Sequence, residues 1–182
     1  LRTLAEAAFI TPDSDRLKAH FVDVMNHNLA WYNTTYTDNP QANVLGVLLN
    51  SAIVYDSKTG VAPWQDDFFT SAVGHAADLG FTEAQRLLGW KAKFPVKRMS
   101  DEGLCWVSAA TYTLKVRASS TGAIFTNMKE VGEATQDPLL RKLACGSTEM
   151  ATFMKLKVGE MSGYAAESTG YPSNMQPGLA YA

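Results

Sequence analysis

The chain has 182 residues, of which 46% are hydrophobic and 19% charged, so it is long enough to bury a core without a metal. Its net charge is −2 and its Lys and Arg residues are scattered, which argues against a nucleic-acid partner. The longest nearly apolar run, Val44 to Val54, is shorter than the roughly 20 residues needed to span a bilayer, so no membrane span is expected.

The low share of charged residues is common in exported proteins that face sugars or cell-envelope material. We therefore expect a periplasmic or extracellular location, with the cytoplasm as the alternative. Cys105 and Cys145 either form a disulfide in an oxidising compartment or remain two buried thiols. Both ends of the sequence resemble interrupted helices, so we expect residues 1–182 to be one helical domain from a longer chain.

The first long helix is predicted from Asp13 to about Tyr32. Asp13 or Ser14 is the expected N-cap, and Pro40 lies in the polar loop that follows. The apolar residues that recur at helical spacing are Leu17, Phe21, Val24, Met25 and Leu29. The stretch 42–55 fits either a buried helix or a short strand, and we favour a helix to Asn50 followed by a loop through Gly60.

Residues 63–95 predict two helices joined by a short turn. Pro63 suits the first helical position, and Gly80 suits the end of the first helix. Thr82 and Gln85 have the spacing of a capping box for the second helix, which should end at Phe94 and Pro95. Helices joined by so short a connection should pack antiparallel as a hairpin.

The rest of the chain adds shorter elements. Residues 106–116 fit a helix or a strand, and 127–135, 138–144 and 150–156 are predicted to be helical. Gly, Pro, Ser and Asn in 159–178 favour an extended, irregular connection. The predicted fold class is therefore all-α, built from antiparallel helical hairpins.

The stretch 61–90 (VAPWQDDFFTSAVGHAADLGFTEAQRLLGW) resembles a hairpin of the (α/α)-toroid proteins, which include six-hairpin glycosidases and polysaccharide lyases. In that group an inner helix begins with aromatic and polar residues, runs through small residues and turns at Gly into an outer helix. The matching residues are Trp64, Gln65, Ala72, Gly74, Ala76, Ala77 and Gly80. The tail 165–181 resembles the polar approach to another inner helix. The resemblance implies a partial toroid and a carbohydrate ligand.

Asp66 and Asp67 are candidate catalytic carboxylates. Adjacent helical positions point about 100° apart, so a glycosidase would take its second carboxylate from elsewhere, with Glu160 or Glu167 as candidates. Their alternative role is stabilisation of a helix start. His75, later in the same helix, is a candidate general base, or alternatively a partly buried structural residue.

The candidate substrate-binding residues are aromatic rings that stack on sugars and amides that bind hydroxyls. They are Trp64, Gln65, Tyr164, Asn174 and Gln176. In a lyase, Tyr171 would remove a proton while Asn174 stabilised the developing charge. No cofactor is predicted.

His20, Asp23 and His27 share a helical stripe, but Arg16 on the same stripe opposes a cation, so no metal site is predicted. Cys105 lacks an activating motif for a nucleophile. The leading hypothesis is a carbohydrate-active or carbohydrate-binding domain of an exported protein, with a polysaccharide or oligosaccharide as partner. The alternative is a non-catalytic structural or interaction domain with a protein partner.

Overall fold

The computed structural model describes residues 1–48, 54–55, 57–100, 103–105, 109, 111, 113–136, 138–150, 152 and 172–182, with the backbone alone for 54–55 and 172–175. The fold is mostly helical, as predicted. The helices are α1 (Arg2–Ile10), α2 (Arg16–Tyr32), α3 (Pro63–Asp78), α4 (Thr82–Lys91), α5 (Lys93–Ser100), α6 (Met128–Thr135) and α7 (Pro172–Tyr181). None of these helices is long and apolar enough to cross a membrane.

A small antiparallel sheet accompanies the helices. Its strands are β1 (Val54–Tyr55), β2 (Gly60–Val61) and β3 (Leu114–Lys115), in the order β1-β2-β3. Val61 of β2 pairs with Val54 on one side and with Leu114 on the other. The predicted loop through Gly60 is therefore wrong at β1 and β2, and the region 106–116 contributes a strand.

Helix α2 ends at Tyr32 as predicted, and a π-helical turn (Asn33–Thr37) continues it. Its N-cap is Asp15 and not Asp13 or Ser14, because the Asp15 carboxylate accepts a hydrogen bond from the Leu17 amide at 2.9 Å. Asp13 instead forms an ion pair with Lys18 at 2.5 Å.

The helix predicted for 42–50 is wrong over its described part, 42–48, which is irregular and largely buried. The Asn43 side chain forms two hydrogen bonds with the Val47 backbone. Its Oδ1 accepts from the Val47 N–H at 2.9 Å, and its Nδ2 donates to the Val47 carbonyl at 2.7 Å. Gly46 has φ +77, and a Cβ there would lie 2.8 Å from the Trp90 carbonyl oxygen. Contact with the end of α4 therefore overrides the local helical pattern.

Helices α3 and α4 pack against each other, and the predicted start and end of α3 are confirmed. Pro63 occupies the first helical position. Gly80 has φ +95 and ends α3 in a Schellman motif, because Phe81 N–H donates to Ala76 O at 3.2 Å and Gly80 N–H to Ala77 O at 3.0 Å.

The predicted limits of the second helix of this pair are wrong at both ends. Phe81 is the N-cap of α4 and Thr82 its first residue, so the capping box does not form. A further helix, α5, includes Pro95. Pro95 lies in the first turn of α5, where an amide N–H would have no intrahelical partner.

The C-terminal half differs more from its prediction. Asn127 caps α6 through a 3.0 Å bond from the Glu130 N–H, which confirms the helix predicted at 127–135. The segment 138–144 holds only a short 3-10 turn, Leu140–Lys142. The irregular connection predicted for 159–178 is wrong from residue 172, where α7 begins. Residues 159–171, and most of 150–156, lie outside the described residues.

Two groups of buried apolar side chains form the core. The first joins α1, α2, α3 and α4, and the second joins the 45–47 segment, the sheet, α5 and α6. The first contains Ala5, Met25, Leu29, Tyr36, Leu48, Val73, Ala76, Ala84, Leu87 and Trp90. The second contains Leu45, Val47, Val61, Phe94, Leu104, Leu114, Val116, Ile124, Met128 and Val131.

Replacing Gly46 by Ala should lower the free energy of unfolding by about 2 to 4 kcal/mol, because it adds backbone strain and overpacks the contact with Trp90. The matched control is Gly89→Ala, in the interior of α4 with no atom within 4 Å of the added Cβ. That variant should gain up to about 1 kcal/mol from helix propensity. Urea unfolding of the two variants measures both effects, and equal values would contradict the role of Gly46.

Candidate functional site

The start of α3 carries two carboxylates that are almost completely buried. Asp66 is 0% exposed and Asp67 is 1% exposed. The positive end of the helix dipole favours negative charge here, as the sequence predicted. That interaction alone does not offset the removal of two charges from water, so each carboxylate needs a partner.

Lys91, at the end of α4, is the partner of Asp66. Its ammonium Nζ lies 2.6 Å from Asp66 Oδ2 and also donates to the Gly46 carbonyl at 3.1 Å. Lys91 is itself fully buried, and burial lowers its pKa from the usual value despite the opposing attraction of Asp66. The ion pair therefore links α3, α4 and the 43–47 segment.

Arg98, in α5, is the partner of Asp67. One guanidinium nitrogen donates to Asp67 Oδ1 and the other donates to the Ala109 carbonyl at 2.9 Å. Burial raises the pKa of Asp67 to about 6, because the cost of desolvating its charge exceeds the stabilisation that Arg98 provides. We call Asp66, Asp67, Lys91 and Arg98 the buried charge cluster.

Phe94 lies against both cations of the buried charge cluster. Its ring centroid is 5.6 Å from Lys91 Nζ and 5.1 Å from Arg98 Cζ, within the range of cation–π attraction. Several polar atoms at this end of α3 keep hydrogen-bonding capacity that no described residue uses. They are Asp66 Oδ1, Asp67 Oδ2, Arg98 Nε and Gln65 Oε1. Unsatisfied buried atoms and a shifted pKa in one place are typical of functional sites, although structural ion pairs also produce them.

Helix α7 packs along α3 and covers Asp67. A Cβ at Gly178 would lie 3.0 Å from Asp67 Cβ, which is tighter than ordinary packing, so this close approach favours glycine. Further along α7, the Tyr181 ring packs onto Gly74 and its hydroxyl donates to Asp78 at 2.8 Å. These contacts occur in the same order along both helices, so α7 and α3 run in the same general direction.

Some of the predicted sugar-binding residues lie in the first turn of α3 and in the first half of α7. Trp64 and Gln65 are half-buried at the start of α3, and Gln176 is exposed in α7, two residues before Gly178. Asn174 lies in the first half of α7, where the backbone alone is described. We call Trp64, Gln65 and Gln176 the polar rim.

The other predicted site residues are placed elsewhere or lie outside the described residues. His75 Nε2 lies 3.3 Å from Glu6 Oε1, so this imidazole pairs with α1 when protonated. The partners of Asp66 and Asp67 are cations of α4 and α5. The predicted residues outside the described part of the chain are Glu160, Tyr164, Glu167 and Tyr171.

Lys91 and Arg98 are the site residues that sequence reasoning missed. Lys91 follows Ala84 and Leu87 on the buried stripe of α4, and Arg98 follows Phe94 by four residues. A charge at a buried helical position was the available signal. It is ambiguous, because a long basic side chain at such a position usually carries its charge out to water.

No family model, curated protein or solved structure matches this chain. Across the described ranges, no group of three or more His, Cys, Asp and Glu residues is placed to hold a metal ion. His27 Nδ1 instead lies 2.8 Å from the Asp23 carbonyl of its own helix.

Asp67→Asn should lower the free energy of unfolding by about 3 to 5 kcal/mol, because it leaves a buried guanidinium that cannot lose its proton. Arg98→Met should lower the free energy of unfolding by less, since Asp67 can take up a proton when its partner is removed. The double variant, Asp67→Asn with Arg98→Met, should recover much of the stability that Asp67→Asn loses. Urea unfolding of the four proteins forms a double-mutant cycle, and strictly additive losses would contradict direct coupling.

The raised pKa of Asp67 should make stability depend on pH. The Asp67 carboxylate takes up a proton below about pH 6 in the folded protein, but only below about pH 3.8 in the unfolded chain. Between these values folding takes up a proton, so the stability that this group contributes is greatest at low pH and is lost as the pH rises through 6. The shift corresponds to roughly 3 kcal/mol.

This pH dependence can be isolated by comparing the wild type with the Asp67→Asn, Arg98→Met double variant, which lacks the titrating carboxyl. Urea unfolding from pH 3.5 to 7.5 should show the wild type losing stability relative to the double variant as the pH rises. A constant difference would contradict the raised pKa.

Proposed function

We propose that the chain is a carbohydrate-binding helical domain of an exported protein, and that the sugar binds at the polar rim. The observation that carries this proposal is the packing of α7 along α3, with Gly178 against Asp67. Because the two helices run in the same general direction, their N-terminal ends lie at the same end of the pair. The aromatic and amide residues of both helices therefore occur at the same end of the pair.

The polar rim has the chemistry that sugars require. An indole offers an apolar face to the C–H groups of a pyranose ring, and side-chain amides both donate to and accept from hydroxyls. Trp64 supplies the aromatic surface and the amide of Gln176 is exposed, whereas the carbonyl oxygen of the half-buried Gln65 is itself buried and has no partner in the described chain. Asn174 would extend this set along α7, with Tyr171 and Tyr164 before it in sequence.

Binding fits the described geometry better than hydrolysis does. A glycosidase needs two carboxylates on either side of the scissile bond, with the acid in contact with substrate. Asp66 and Asp67 have almost no exposed surface and are paired with Lys91 and Arg98. A catalytic role for these two carboxylates would need a rearrangement that opens these contacts. We therefore assign the buried charge cluster to support of the rim.

A partial toroid is the architecture that we propose around this site. In an array of antiparallel hairpins, the first helices of successive hairpins run parallel to one another. The three-residue connection between α3 and α4, closed by the Schellman motif at Gly80, suits an antiparallel hairpin. The common direction of α3 and α7 suits two such first helices.

The disulfide between Cys105 and Cys145 supports the proposed export. Disulfides persist in the periplasm and outside cells, whereas cytosolic reductants keep most thiols reduced. The bond joins residues separated by 40 positions, so it constrains a long stretch of an unfolded chain.

A protein-interaction role is the second candidate, and one surface feature favours it. Phe9, Ile10 and Leu17, around the connection between α1 and α2, are 65%, 76% and 48% exposed. Exposed apolar side chains that cluster at one place are typical of partner contacts. A stoichiometric protein partner in the native particle, together with no sugar binding, would favour this role.

Gln176→Ala and Trp64→Ala should each weaken binding to a polysaccharide by about tenfold, since each removes one specific contact. Gln176 is exposed, so its loss should leave the fold intact. The measurement is depletion of the soluble protein by insoluble neutral and uronate polysaccharides.

The matched control is Trp31→Ala, which removes an indole that is 52% exposed on α2, away from the polar rim. It should bind as the wild type does. Failure of the wild type to bind any polysaccharide, or an equal loss in Trp31→Ala, would overturn the proposal.

A further inference from the structure

A cavity of about 520 Å³ lies between α6, the end of α5 and the 3-10 turn at Leu140–Lys142. The disulfide between Cys105 and Cys145 forms part of its wall, and none of the residues of the polar rim lines it. Its volume is in the range of about 300 to 1,000 Å³ that small-molecule sites occupy. We call it the disulfide cavity.

The floor of the disulfide cavity is apolar. Leu104, Leu140 and Met150 line it and are at most 5% exposed. The Sγ atom of Cys105 lies 3.5 Å from the Sδ atom of Met150, so the disulfide and the thioether form one continuous sulfur surface. A surface of this kind favours an unbranched hydrocarbon over a hydrated polar ligand.

The mouth of the disulfide cavity is rich in hydrogen-bond donors. Lys129 and Arg141 line it, and neither has a carboxylate within ion-pair distance in the described part of the chain. The buried amide Nε2 of Gln136 has no acceptor there. Glu133 is the single acid among the described lining residues. Among the described lining residues, two cations and one carboxylate leave a net positive charge of one.

We propose that the disulfide cavity binds a small amphipathic monocarboxylate, with its alkyl chain on the apolar floor and its carboxylate between Lys129 and Arg141. One net positive charge matches one carboxylate better than a doubly charged phosphate ester. Guanidinium and ammonium groups form charge-assisted hydrogen bonds to carboxylate oxygens, and Gln136 adds a neutral donor. Burial of the ligand's alkyl chain supplies most of the affinity, and the two cations supply the selectivity for a carboxylate.

The disulfide keeps the two walls of this cavity together. Cys145 follows the 3-10 turn that carries Arg141, and Cys105 follows Leu104 of the floor. The Cα atoms of the two cysteines are 5.4 Å apart, so the bond fixes the turn beside the floor. The site is separate from the polar rim, and its success or failure does not depend on sugar binding.

The test is isothermal titration calorimetry of the full chain with sodium decanoate below its micelle concentration. The comparison ligands are 1-decanol, which lacks the charge, and decyltrimethylammonium, which reverses it. Decanoate should bind at least about tenfold more tightly than either, because only the carboxylate gains the charge-assisted bonds.

Arg141→Met and Lys129→Met should each weaken decanoate binding by about tenfold while leaving the thermal unfolding midpoint unchanged, since both side chains are exposed. The control is Lys142→Met, an exposed neighbour of Arg141 that does not line the cavity, and it should bind decanoate as the wild type does. Absence of decanoate binding, equal affinity for decanol, or equal losses in Lys142→Met and Arg141→Met would overturn the proposal.

Discussion

Lys91 and Arg98 reach the start of α3 from two successive helices, and the arrangement of the surrounding chain depends on the ion pairs that they make there. Removing four charged groups from water is costly, and the cost is offset only while each cation keeps both a carboxylate and a backbone carbonyl. The carbonyls belong to Gly46 and Ala109, which lie outside the helices. A shift of either segment would leave a buried charge without its partner, so the cluster selects one arrangement of these segments.

Close backbone approaches complete the same region. Gly46 allows its segment to contact the end of α4, and Gly178 allows α7 to lie on Asp67. At both positions an added side chain would crowd the neighbouring helix, and both contacts occur beside members of the buried charge cluster. The polar rim therefore rests on a floor whose position is set by ion pairs and glycines, which is the rigid support that a sugar-binding surface needs.

Local signals explain which elements could be predicted. Some signals act within a few residues of where they occur, so the sequence alone is enough to predict the elements that they define. Examples are the apolar spacing of α2, Pro63 at the start of α3 and Gly80 at its end. The segment 42–48 has the apolar content of a helix, but Asn43 and the contact of Gly46 with α4 decide its shape. Helix α7 contains Pro177 and Gly178, which locally favour a turn, and its packing on α3 outweighs them. For the site, the acids at the start of α3 were predictable from the helix dipole. Their cations were not, because pairing across α3, α4 and α5 depends on tertiary packing.

The pairing also determines what the polar rim presents to a ligand. Two carboxylates and two cations sum to zero formal charge when all four are ionised, so the cluster beneath the rim exerts little net field on a molecule above it. Under the proposed function, recognition there would rely on aromatic stacking and on hydrogen bonds from amides, which suits uncharged hydroxyl-rich ligands. At the mouth of the disulfide cavity the opposite holds, because its cations have no described carboxylate partner and their field acts on the ligand. The two proposed sites should therefore differ in selectivity, according to whether the charges at each site already have a counter-ion among the described residues.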